Sequence, residues 1–186
     1  MSVGAPEWPL ETERLVLRPY ESGDLDAYHA IRSQPEVMRY LYGDPLTREV
    51  AREKLDLLIR SASLAAEDDW LAAAIVVRDS GDYVGDVAFH WVSVEHRTGE
   101  VGFVIDPAHQ GLGYATEAAR AMVDWGFGTF GLHRIIGRTE ARNEASARVL
   151  ERLGMRCEAH LIENEWVKGE WQSELVYAIL DREWAH

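Results

Sequence analysis

A single cysteine, Cys157, is present in 186 residues. One thiol excludes an internal disulfide framework and a cysteine-rich zinc site. Basic residues are also scarce: lysine and arginine total 19 against 32 for aspartate and glutamate, giving a net charge of −13. A nucleic-acid binder needs basic surface to replace phosphate counterions, so this balance argues against one. It argues equally against an anionic membrane surface as partner. An acidic field instead steers cationic acceptors such as amines. Long apolar runs are missing too. The longest strictly apolar one, Leu71 to Val77, is far too short to span a bilayer. Met1 to Leu10 show neither the basic flank nor the apolar stretch of a secretory leader, so the cytoplasm is the expected compartment.

What is present fits a globular protein. Hydrophobic residues make up 47% and charged residues 27%, a balance able to bury a sizeable core. One domain over residues 1–186 is expected, with residues 1–10 as a loose extension. Arg14 to Tyr20 reads as a first strand ended by Pro19. Ser22 should cap a helix to about Arg32, Glu36 to Tyr42 adds a helical turn, and Thr47 should cap a helix to about Ala66. The apolar stripe of that helix is Val50, Leu55, Leu58 and Ile59. Trp70–Arg78, Tyr83–Val94 and Glu100–Asp106 read as strands. A helix from about Ala115 to Phe127, a strand His133–Thr139 and a helix from Asn143 to about Leu153 follow. Met155–Glu165 and Glu170–Leu180 close the chain as strands around a Lys168-Gly169 turn. The order predicts a mixed α/β (α+β) domain of about seven strands and about four helices.

The informative stretch is Val104-Ile-Asp-Pro-Ala-His-Gln-Gly-Leu-Gly-Tyr-Ala-Thr-Glu117. A strand ends, glycines follow, and a helix begins. Glycines let main-chain N–H groups converge, and the helix N-terminus adds free N–H groups and partial positive charge. Together they can cradle a phosphate or pyrophosphate. The Gly-Lys-Ser/Thr ending of a Walker loop is missing, and Thr116 stands where the dinucleotide fingerprint needs its third glycine. Spacing alone fits equally a strand–helix turn without a ligand.

Gln110-Gly-Leu-Gly-Tyr-Ala115 resembles the Q/R-x-x-G-x-G/A signature of the GNAT acetyltransferase superfamily. Further segments are similar to its RimJ/RimL-like branch: Thr12 to Pro19, Gln34 to Leu41, Glu100 to Pro107, Arg142 to Ser146 with Leu150 to Met155, and Trp171 to Leu180. The resemblance covers roughly Glu11 to Trp184, in order. It implies a mostly antiparallel sheet that splays between the fourth and fifth strands, with acetyl-CoA held in the gap. By this resemblance, the main chain of Phe103, Val104 and Ile105 bonds the pantetheine arm. The N–H groups of Gln110, Gly111, Leu112, Gly113, Tyr114 and Ala115, with Thr116 beside them, take the pyrophosphate. Asn143 contacts the pantetheine or phosphate side, and its position also suits a helix N-cap. The branch implies acetylation of protein N-termini and related amines, and the family makes a homodimer an expectation.

Amine acetylation needs a neutral amine, a proton for the leaving thiolate and a donor for the carbonyl oxygen. It needs neither a covalent nucleophile nor a metal, and no His, Asp or Glu set here has metal-ligand spacing. An α-amino group, with a reference pKa of roughly 7.7–8.0, asks less of a base than lysine at roughly 10.4. Many family members carry a tyrosine acid where Leu150 stands, and Leu150 reads here as packing. Ser146 matches a serine of the branch and is the candidate to hydrogen-bond or protonate the leaving sulfur. Glu100 is the candidate base, directly or through water, with His90 and Glu140 in reserve. A main-chain N–H near Val104 is the expected oxyanion donor. Trp91 could line an acceptor groove, Tyr40 and Tyr42 border it by resemblance, and Trp70, Trp125 and Trp171 are expected in the core. The plain alternatives stay open: a first-turn helix serine for Ser146 and a solvated strand-edge carboxylate for Glu100. The leading activity is acetyl transfer to a protein α-amino terminus. Small-amine acetylation and a non-catalytic CoA-binding sensor are its rivals.

Overall fold

The computed structural model describes residues 4–184. Its strands are β1 (Leu10–Glu11), β2 (Leu15–Arg18), β3 (Trp70–Val77), β4 (Tyr83–Ser93), β5 (Thr98–Ile105), β6 (Arg134–Glu140), β7 (Arg156–Val167) and β8 (Glu170–Leu180). The helices are α1 (Leu25–Arg32), α2 (Pro35–Met38), α3 (Arg48–Arg60), α4 (Tyr114–Gly128) and α5 (Glu144–Arg152). All eight strands form one sheet in the order β1-β2-β3-β4-β5-β6-β8-β7. Every pairing is antiparallel except β5 with β6. This is the GNAT-like α/β domain expected, with β1 as an added short strand and α2 as the helical turn expected after Pro35.

Both faces of the sheet are covered at β3, which explains why that strand is apolar throughout rather than alternating. Leu71, Ala73 and Ile75 join one core with Phe89, Val101 and the α4 residues Ala118, Ala119, Met122 and Val123. Ala72 and Ala74 face the other core, under Leu25 and Tyr28 of α1 and Ala51 and Leu55 of α3. Small side chains there let the helices lie close to the sheet. In α3 the buried stripe runs through Ala51, and Val50 is exposed, one position away from expectation. Thr47 does cap this helix, accepting a bond from the Val50 N–H. The helix stops at Arg60, short of Ala66, because Leu64 leaves it to become fully buried.

Leu64 also corrects the expected loose extension. Gly4 and Leu64 exchange both main-chain bonds, at 2.9 and 2.8 Å. Trp8 packs on the core, and Leu10 pairs with Leu17. An apolar anchor and a strand pairing hold residues 4–11; Met1, Ser2 and Val3 lie outside the described residues. The β7–β8 hairpin turns at Lys168 and Gly169, with φ of +52° and +84°, the pair of positive angles that a two-residue hairpin turn requires.

The feature that positions the site is where β5 and β6 part. Their parallel pairing covers only Thr98–Glu100 against Arg134–Ile136. Beyond it, the main chain from Val101 to Ile105 lacks a partner on that side, while β6 continues along β8. Gly85 of β4 backs this bend. Its φ is +149°, and a Cβ there would lie 2.0 Å from the Val104 carbonyl oxygen.

Candidate active site

The chain leaves β5 through Asp106, whose side chain accepts from the Ala108 N–H at 3.2 Å and caps a single 3-10 turn at Pro107–His109. Gly111 and Gly113 then adopt φ of +78° and +85°, and Gly113 is the left-handed N-cap of α4. A β-branched residue would be strained at either angle, so glycine here is a backbone requirement. The first residues of α4, Tyr114, Ala115 and Thr116, line a cavity of about 480 Å³. Phe103, Val104, Ile105, Gln110, Gly111, Gly113, Tyr114, Ala115, Thr116, Asn143 and Ser146 line it.

Leu112 enters the expected site through its main-chain N–H alone. The Leu112 side chain is half exposed and outside the cavity lining, and its carbonyl accepts from Arg14 at 2.8 Å. Arg14 reaches over from just before β2, bonds Glu117 in the first turn of α4, and lies 5.0 Å above the Tyr114 ring. Although burial alone would raise it, the Glu117 carboxyl sits below its ordinary range, because Thr12 and Arg14 donate to it. These contacts fasten the glycine loop to the segment that leads into β2. The Gln110 side chain folds back onto the Ile105 carbonyl at 3.3 Å and so does not reach forward.

Whether this cavity suits a pyrophosphate is tested by Thr116. Its hydroxyl oxygen is buried at the cavity wall and has no hydrogen-bond partner among the described residues. A buried hydroxyl left unpaired beside a helix N-terminus fits an anionic oxygen as its missing partner. Arg148 and Arg152, one turn apart on α5, line the same cavity and add positive charge. Sequence reasoning missed both. The signal was their i, i+4 spacing, which puts both on one face of α5.

A second cavity of about 370 Å³ opens on the other side of the gap. Tyr40, Leu41, Phe103, Val104, Asn143 and Ser146 line both cavities. Asn143 caps α5, its Oδ1 accepting from the Ser146 N–H at 3.2 Å. That bond fixes the first turn of α5 and holds Ser146 at the junction. Leu150 is 1% exposed, which agrees with its packing role.

The second cavity is lined by Asp86, Glu100, Glu140, Glu165 and Glu174, against the two cations Arg32 and Arg138. Arg32 is paired with Asp86 at 2.7 Å and Arg138 with Glu100 at 2.9 Å. Glu100 is therefore buried and braced, its Oε2 accepting from both Nε and a terminal nitrogen of Arg138. The reserve base Glu140 is occupied as well, accepting from the side chain and N–H of Arg142. His90 lies directly across from Glu100 in the sheet, its Nδ1 3.7 Å from the carboxylate. It stacks on Trp70 at 4.2 Å.

A family model described as "Acetyltransferase (GNAT) domain" matches residues 14–156. The chain belongs to the GNAT acetyltransferases. It is 34% identical over 175 residues to the uncharacterized N-acetyltransferase YnaD of Bacillus subtilis, covering 94% of this chain and 98% of that protein. It is 27% identical to the spermidine N(1)-acetyltransferase of Escherichia coli K12, covering 90% and 87%. A crystal structure of a GNAT-family acetyltransferase from Bacillus anthracis superposes with a TM-score of 0.85 at 33% identity, covering 94% of this chain and 99% of that one. The protein is thus an acyltransferase that uses acetyl-CoA.

Within this GNAT domain three tryptophans depart from expectation. Trp91 is 3% exposed and packs edge-on against Phe130, so it is core and lines no groove. Trp70 is half exposed and lines the second cavity. Trp171 is exposed beside Trp166 on the terminal hairpin. Strand assignment alone does not say which side of a residue the sheet leaves open. Trp125 is buried as expected. Tyr40 and Tyr42 do border the second cavity. The Tyr42 hydroxyl donates to Glu165 at 2.6 Å; burial and that carboxylate both push it far above the ordinary tyrosine range.

Proposed function

We propose that this protein acetylates an amine that enters the second cavity as an ammonium ion, with acetyl-CoA in the first. One observation carries this reading: the glycine-loop cavity and a carboxylate-rich cavity share a wall at Phe103, Val104, Asn143 and Ser146. The main chain of Phe103 to Ile105 lacks a strand partner and suits the amides of the pantetheine arm. The N–H groups from Gln110 to Ala115, with the Thr116 hydroxyl, suit the pyrophosphate. Acetyl-CoA supplies an activated acyl carbonyl when bound. Ser146, at the junction, stands where a hydroxyl can bond the departing sulfur. Proton removal from the amine falls to the cavity carboxylates, of which Glu100 is the one singled out by the sequence.

Two acceptor classes suit such a cavity. The resemblance to the RimJ/RimL-like branch suggests a protein α-amino terminus. The lining favours a small amine with more than one positive charge, because five carboxylates face two arginines that are already paired. Similarity to spermidine N(1)-acetyltransferases supports the same class. We take the small cationic amine as the better reading.

Thiol release from acetyl-CoA separates the two, measured with polyamines, with peptides bearing free N-termini and without enzyme. Turnover led by polyamines is the expected result. Turnover confined to peptides, and abolished by blocking their N-termini, would restore the protein-terminus reading. Silence in both pools, with acetyl-CoA bound, would leave no support for either amine class.

A further inference from the structure

Glu100 and Glu174 stand in the same cavity in opposite circumstances. Glu100 is held by Arg138 through two hydrogen bonds to one oxygen. Glu174, on β8 opposite Glu140, is half-buried, and among the described residues no group donates a hydrogen bond to it. Its charged neighbours come from three strands and a loop. Glu100 lies on β5, Arg138 and Glu140 on β6 and Glu165 on β7, and Tyr42 stands on the loop after α2. The Arg32–Asp86 pair faces the group across the cavity. Tyr42 satisfies Glu165 and Arg142 satisfies Glu140. Glu174 is the carboxylate left without a partner.

A carboxylate drawn partly out of water beside other carboxylates, with no donor of its own, attracts a cation or a proton. We infer that Glu174 receives the acceptor's ammonium group and takes up its proton, and that Glu100 with Arg138 is a positioning pair beside it. This rests on the amine-acetylation reading and names the proton's destination within it. The balance is as follows. An ammonium acceptor loses two N–H protons in becoming an amide. The nitrogen lone pair forms the new C–N bond, and the C–S bond breaks with its electrons staying on sulfur. One proton ends on that sulfur. The other goes to Glu174 and then to solvent.

The surroundings favour this role. Burial raises the Glu174 carboxyl above its ordinary range; Arg138 opposes the shift, and Glu165 and Glu100 reinforce it. A carboxylate with raised proton affinity is the stronger base. The same shift has a signature that needs no substrate. A carboxyl raised on folding stabilises the fold while protonated, and that contribution is lost as pH rises through the raised value. At neutral pH the ionised Glu174 therefore weakens the free protein.

The test compares Glu174→Gln with Glu100→Gln in the full chain. Glu174→Gln should lose about a hundredfold in kcat/KM for the amine. It should also lose the acidic limb of the pH profile and keep acetyl-CoA affinity. Without substrates its Tm should exceed that of the unaltered protein at neutral pH, with the gap closing as pH falls below the ordinary carboxylate range. Glu100→Gln should lower Tm, since it weakens the hold on Arg138. Glu174→Asp, which keeps the acid, should recover part of the rate and the acidic limb. Glu174→Gln turning over within about threefold of the unaltered protein, with its acidic limb intact, would overturn the inference and leave the amine reading standing. If the unaltered protein bound acetyl-CoA yet acetylated no amine, both would fall together.

Discussion

The two cavities that meet at Ser146 are built by different means. The glycine-loop side, proposed for acetyl-CoA, is main chain: an unpartnered strand edge, two glycines with positive φ, and the first turn of α4. The side proposed for the acceptor is side chains: carboxylates and arginines from α1, β4, β5, β6, β7 and β8. Main-chain sites are specified by a few adjacent residues, while side-chain sites need many distant residues to arrive together. That is why one half can be shared across a family while the other is free to vary.

The largest expected effect strikes what both halves rest on. Gly85→Ala would drive a Cβ into the Val104 carbonyl. Strain at that φ together with the displacement should cost about 4 kcal/mol, lowering Tm sharply and taking acetyl-CoA binding with it. A thermal melt with and without acetyl-CoA checks this.

Ser146→Ala addresses the junction. It should lower kcat about a hundredfold and leave both substrates' binding intact, since the Asn143 cap uses the Ser146 main chain. Steady-state kinetics that moved KM alone would place Ser146 in binding instead.

Gly113→Val should separate the halves. The left-handed N-cap would cost about 1–2 kcal/mol, read as about a tenfold loss of acetyl-CoA affinity by calorimetry. Amine binding should be unchanged. Equal loss of both would mean that the halves are not independent.

The smallest effect concerns the clamp. Glu117→Gln weakens the bonds from Arg14 and should cost about 1 kcal/mol at neutral pH. The carboxyl is held low, so its contribution is present above the ordinary carboxylate range and disappears as pH falls through the lowered value. The variant and the unaltered protein should therefore converge in acid, as melts across pH will show.

The same division explains what could be read from the sequence. Gly111, Gly113 and the start of α4 were legible because positive φ and a helix N-terminus leave local marks. Asn143 was legible as a cap, and Leu150 as core. Glu174 carried no mark: alternation along β8 does not show that the strand beside it brings Glu140, or that Arg138 is already occupied by Glu100. Trp70 and Trp91 were interchanged for a similar reason, since both are strand tryptophans and only their neighbours bury one of them. The N-terminal segment read as loose because its anchor, Leu64, lies in a stretch taken for helix.

One measurement addresses the joined cavities directly. A conjugate of CoA linked through an acetyl spacer to a polyamine nitrogen should bind at least about a hundredfold more tightly than CoA alone, because its second half binds intramolecularly. Calorimetry against CoA, the polyamine and the conjugate would read this. A conjugate no tighter than CoA would contradict the account, since the two cavities would then not form one site.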